Sequence, residues 1–101
     1  MSTQPLTIEH VIQELRNLPL WDGDEYALTR TVRFDNFPAA IAFMSAAVSE
    51  IERLGHHPEW TNVYNRVTVR LTTHDAGNRV TMLDVTLAKL IDVVAVAYSA
   101  R

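Results

Sequence analysis

Gly55-His56-His57-Pro58-Glu59-Trp60 is the stretch around which the rest of the chain is arranged. A helix commonly ends with Gly in a left-handed conformation and Pro soon after, because Gly tolerates positive φ and Pro cannot continue the hydrogen-bond ladder. The apolar run before Gly55 therefore reads as a long helix that stops there, with His56 and His57 at its exit and a strand pair beyond. His74 closes that strand pair, and Glu50, Glu52, Asp75 and Asp84 lie near the histidines in sequence. Imidazole titrates near ~6.5, so three histidines beside carboxylates form a plausible acid/base site at neutral pH.

Toward the N-terminus, Asp35 or Asn36 caps the long helix, with Pro38 in its first turn where a missing N–H costs nothing. Ile41, Met44, Val48, Ile51 and Leu54 repeat at helical spacing and read as its core face. Ala39, Ala40, Ala42, Ala46 and Ala47 leave room for a neighbouring element to come close. Residues 27–34 alternate, with Leu28, Val32 and Phe34 on one face and Thr29, Thr31 and Arg33 on the other, the period of a half-buried strand. Arg30 interrupts the apolar face, which predicts that its charged head reaches water. Trp21 and Asp22-Gly23-Asp24 read as a short edge strand entering a turn. Thr7 caps a first helix carrying Ile8, Val11, Ile12, Leu15 and Leu18 and ended by Pro19. Residues 1–6 read as a loose tail.

Toward the C-terminus, residues 61–64 and 67–73 form an expected antiparallel hairpin with its turn near Asn65-Arg66. Val67, Val69, Leu71 and Thr73 share one face; Thr68, Arg70, Thr72 and His74 share the other, which directs His74 to the open or cleft side. Ala76-Gly77-Asn78 makes the turn out. Thr81-x-x-Asp84 resembles a capping box with Asp in place of Glu. The helix it opens is apolar around most of its circumference from Leu83 to Ala97, so one face is expected on the sheet and another on a partner subunit. The expected fold is α+β: a four-stranded antiparallel sheet with three helices packed on one face, in one domain spanning residues 1–101.

With 101 residues, 48% of them apolar and 21% charged, the composition is that of an ordinary soluble globular protein rather than a disordered chain. A net charge of -3 offers no basic footprint, so direct nucleic-acid binding is not expected. The absence of cysteine rules out disulfides and thiolate metal sites and is compatible with a reducing cytoplasm. Met1-Ser2-Thr3-Gln4-Pro5 lacks the basic, apolar and cleavage-site succession of a signal peptide, and no apolar run approaches the ~20 residues that span a bilayer. A three-histidine zinc site is disfavoured: adjacent residues rarely aim at one ion, and no i, i+4 histidine pair exists. No metal or cofactor is expected.

Glu52-x3-His56-His57-Pro58, followed by Trp60, Tyr64, His74 and Asp84, resembles the signature of the pterin-4a-carbinolamine dehydratases, a family also known as the dimerization cofactor of a homeodomain transcription factor. The resemblance covers nearly the whole chain. It implies loss of water from a 4a-hydroxytetrahydropterin, such as 4a-hydroxytetrahydrobiopterin, to give the quinonoid dihydropterin. His56 and His74 are then the acid/base pair and His57 binds and orients the ring. Glu52, one turn before His56 and so on the same side of the helix end, can accept an imidazole N–H and tune that ring. Pro58 and Trp60 wall the pocket with Tyr64, and Asp84 belongs to the site unless it serves only as a helix cap. The chain departs from the pattern in carrying Gly55 where many members have Asp or Asn, and in a His74-to-Asp84 interval about one residue longer than usual. The resemblance implies a homodimer or homotetramer. It also leaves a rival reading, a non-catalytic dimer-stabilising or assembly partner of the same fold; retention of all three histidines favours the enzyme.

Overall fold

The computed structural model describes residues 3–100. Its elements run α1 (Ile8–Leu15), β1 (Asp22–Gly23), β2 (Leu28–Arg33), α2 (Phe37–Leu54), β3 (Glu59–Val63), β4 (Arg66–Leu71) and α3 (Met82–Ala97), with a single 3-10 turn at His74–Ala76 between β4 and α3. The strands form one antiparallel sheet in the order β1-β2-β4-β3. Three helices and a four-stranded antiparallel sheet make the expected α+β fold.

Alternation decides which face is covered. In β4 Val67, Val69 and Leu71 are buried while Arg66, Thr68 and Arg70 are exposed, and in β2 Leu28 and Val32 are buried opposite exposed Thr31 and Arg33. Phe34, Phe43, Leu87 and Ile91 fill the space between this face and the helices. Full burial of each such side chain contributes about 1.5–3 kcal/mol.

Several local expectations are corrected. Helix α1 ends at Leu15, a turn before Pro19, and Leu18 is buried from the loop that follows. Of the expected tail, residues 1 and 2 lie outside the described residues. Leu6 is not loose: it is buried, and its N–H donates to Val80 O at 2.9 Å. Of the expected α2 row, Ile51 is buried and Met44 and Leu54 pack partly against the core, but Ile41 and Val48 are exposed, and Ala40, Phe43 and Ala47 are the other buried positions. The small residues let α2 lie close along Ala40 and Ala47, and this leaves Ile41 and Val48, each roughly 100° further round the helix, outside the core. Arg30 does not reach water: it is buried on the covered face, and its Nη1 donates to Asp92 Oδ1 of α3 at 2.5 Å. Trp21 Nε1 donates to the same oxygen at 2.8 Å, so one carboxylate ties β2 and the residue just before β1 to α3. The β3–β4 turn falls at Tyr64-Asn65, one residue earlier than expected, with Tyr64 at φ 53°.

Candidate active site

Antiparallel register brings the histidines to one end of the sheet. Glu59 pairs with Arg70, so residues 56 and 57, just before β3, lie beside residues 72–74, just after β4. Thr73 then bridges Arg79, and the chain turns into α3, whose N-terminus reaches the same end. The three segments bound a cleft of about 230 Å³ lined by His56, His57 and His74, together with Thr72, Thr73 and Asp75.

Gly55 sets where the two adjacent imidazoles go. It caps α2 at φ 68°, ψ 27°, in the left-handed region, and its N–H donates to the carbonyls of Ile51 and Glu52. Asn and Asp tolerate that conformation best among residues with a Cβ, and a Cβ here would meet nothing within 4 Å. The departure from Asp or Asn at this position therefore removes a side chain without changing the backbone.

The helical phase is lost at Gly55, and the carboxylate partners differ accordingly. His56 turns inward, 9% exposed, and its Nε2 lies 2.6 Å from Oδ1 of Asp84. His57 is exposed, and its Nε2 lies 2.8 Å from Glu52 Oε2. Glu52 thus serves His57, not His56 as helical spacing suggested. An ionised carboxylate only accepts hydrogen bonds, so both imidazoles are assigned their proton on Nε2.

Asp84 is 0% exposed and has two duties. Its Oδ2 accepts the Thr81 N–H at 2.9 Å, which completes the capping box, while Oδ1 holds His56. It stands behind the imidazole rather than in the cleft. With the longer interval after His74, Asp84 lies against His56 in this chain.

The remaining expected site residues divide. Pro58, Trp60 and Glu52 line an adjoining apolar hollow of about 240 Å³ with Val48 and Ile51, and His57 borders both spaces. Trp60 is held edge-on to Phe43, ring centroids 6.4 Å apart. Tyr64 lies at the far end of β3, five residues or about 17 Å from Glu59 at ~3.3 Å per residue, and is 64% exposed. It joins neither space. Asp75, one of the carboxylates near the histidines in sequence, lines the cleft; Thr72 and Thr73 line it as well, and their position just after β4, opposite the histidine pair, is the signal that places them. Among the described residues no group of three or more His, Asp or Glu side chains is disposed to hold a metal ion. No helix among them is long and apolar enough to cross a membrane.

Comparison with known proteins agrees with this fold and gives its family. A family model described as pterin 4 alpha carbinolamine dehydratase matches residues 4–94. A protein of Opitutus terrae, provisionally named a pterin-4-alpha-carbinolamine dehydratase, is 52% identical over 84 residues, covering 83% of this chain and 87% of its own. One from Rhizorhabdus wittichii with the same provisional name is 45% identical over 97 residues, covering 94% of this chain and 99% of its own. The crystal structure of a Brucella melitensis protein described as a transcriptional coactivator/pterin dehydratase superposes with a TM-score of 0.86 at 40% identity, covering 91% of this chain and 99% of that one. The chain belongs to the pterin-4a-carbinolamine dehydratase family of hydro-lyases.

Proposed function

We propose that this protein eliminates water from a pterin 4a-carbinolamine, 4a-hydroxytetrahydrobiopterin or a close relative, to give the quinonoid dihydropterin. The observation that carries the reading is the convergence of His56, His57 and His74, from two separate stretches of chain, on one cleft. The reaction breaks the C4a–O bond and removes a ring N–H proton, with no redox change. It needs one group to protonate the departing hydroxyl and another to take the nitrogen proton, each contributing roughly 10²–10⁴-fold.

His56 and His74 are the acid/base pair. Asp84 holds the Nε2 proton of His56 and stabilises the imidazolium that forms when His56 gains a second proton, the arrangement by which a buried carboxylate supports a catalytic histidine. His74, exposed at the 3-10 turn, faces the same cleft from the other side of the sheet end. His57, steadied by Glu52, orients the ring, and Pro58 and Trp60 offer it an apolar wall. Such a reaction serves pterin recycling, and the absence of cysteine suits a cytoplasmic setting.

The functional unit is a homodimer or homotetramer, because apolar side chains of α2 and α3 stand exposed on the single chain. The decisive experiment is the rate of 4a-carbinolamine loss with and without the protein. Acceleration supports the enzyme; none would leave the non-catalytic partner role in its place.

A further inference from the structure

At the wall of the cleft and behind it, Thr73, Thr81 and Asp84 are 3%, 0% and 0% exposed. Thr73 Oγ1 lies 2.8 Å from Asp84 Oδ2 and 2.8 Å from Thr81 Oγ1, and Thr81 Oγ1 accepts the Leu83 N–H at 3.2 Å. A hydroxyl carries one proton, and a carboxylate only accepts. Thr73 must therefore spend its proton on Asp84, which obliges Thr81 to donate to Thr73. The direction of the chain is fully determined: Leu83 N–H to Thr81, Thr81 to Thr73, Thr73 to Asp84. With the Thr81 N–H also on Oδ2, Asp84 is held in one rotamer by three donors, and the third of them is His56 Nε2–H on Oδ1.

The consequence reaches the cleft through the imidazole. The His56 ring makes one hydrogen bond, through Nε2, and no buried side-chain nitrogen or oxygen among the described residues lacks a partner. Nδ1 is therefore the ring nitrogen open to the cleft. We propose that Thr73 and Thr81 are positioning residues for the dehydration: their hydroxyl relay orients Asp84, which locks His56 in the Nε2–H tautomer and presents Nδ1 to the substrate. This rests on the dehydratase reading above, with neither threonine touching substrate through the relay itself.

The test is nitrogen NMR of protein labelled with 15N-histidine, at a pH where His56 is neutral, alongside steady-state kinetics. His56 should show a protonated Nε2 and an unprotonated Nδ1 in the unsubstituted protein. Thr73→Val should turn it toward a tautomer mixture and lower kcat about 10- to 100-fold, part of what a general acid or base supplies, with KM within about twofold. Thr73→Ser should restore both. An Nδ1–H tautomer in the unsubstituted protein overturns the proposal, and this measurement decides alone if Thr73→Val does not fold. A folded Thr73→Val with an unchanged tautomer overturns it whatever its activity. If the unsubstituted protein fails to dehydrate the carbinolamine, the functional reading falls, while the tautomer and its response to Thr73→Val still report on the relay.

Discussion

His56 Nε2 and Asp84 Oδ1 lie 2.6 Å apart around a carboxylate with no exposed surface. The neighbouring His57–Glu52 pair, at 2.8 Å, has both side chains about two-thirds exposed. Similar distances thus occur in unlike surroundings, and water screens only the second pair. Asp84→Asn keeps the shape but puts an amide where three donors converge, so kcat should fall by roughly 10²-fold or more. Glu52→Gln should change stability by no more than about 1 kcal/mol and lower kcat far less. Stopped-flow decay of the 4a-carbinolamine with both variants checks the ranking. Equal losses would remove the distinction between the two pairs.

Removing either proton-transfer group tests the assignment directly. His56→Ala and His74→Ala should each lower turnover by about 10- to 1000-fold. A double variant with unaltered turnover would show that neither ring moves a proton in the slow step.

Much of this arrangement is legible in the sequence, and the exceptions share a cause. The punctuation at Gly55 and Pro58 and the cap at Thr81 are local, since each depends on backbone groups within a turn. Helical i, i+4 spacing points Glu52 at His56, but it holds only while the helix continues, and Gly55 at φ 68° breaks it and leaves Glu52 to His57. On α2 the hydrophobic pattern holds at Ile51 and in part at Met44 and Leu54 but fails at Ile41 and Val48, because larger aliphatics outweigh alanine in such a pattern while Ala40 and Ala47 make the close approach. Arg30 finds Asp92 62 positions away, and His56 finds Asp84 28 away, separations that periodicity does not encode.

The core that props the pocket wall gives a stability test. Phe43 is 0% exposed, packs tilted against Phe34 with centroids 5.0 Å apart and meets Trp60 edge-on. Phe43→Ala should cost about 3–5 kcal/mol of unfolding free energy. Urea denaturation measures it, and a loss below about 1 kcal/mol would show that α2 repacks freely over the sheet.

Chelation provides a separate check on the chemistry. With no cysteine in the chain and each imidazole Nε2 at the helix exit engaged by a carboxylate, the donor set suits proton transfer better than zinc. Prolonged treatment with a strong chelator should leave turnover and melting temperature unchanged. Stoichiometric zinc in protein purified without added metal, lost together with activity, would contradict this.

Assembly follows from what the sheet leaves uncovered. In α3 the sheet and α2 bury Val85, Leu87, Ala88, Ile91 and Ala95, yet Val93 is 68% and Val96 79% exposed. On α2, Phe37, Ile41 and Val48 are exposed as well. Covering such surface contributes about 25 cal/mol per Å² of apolar area, and closed two-fold symmetry is the commonest way to do so. Sedimentation at micromolar concentration should therefore show at least a homodimer of the 11.4 kDa chain. Val93→Glu or Val96→Glu should shift it toward monomer, because a carboxylate buried in such a contact goes unpaired. Neither residue lines the histidine cleft, so substrate should still bind the separated chains. A single species near 11.4 kDa for the unsubstituted protein would mean these faces meet only water, and the oligomer would have to be given up.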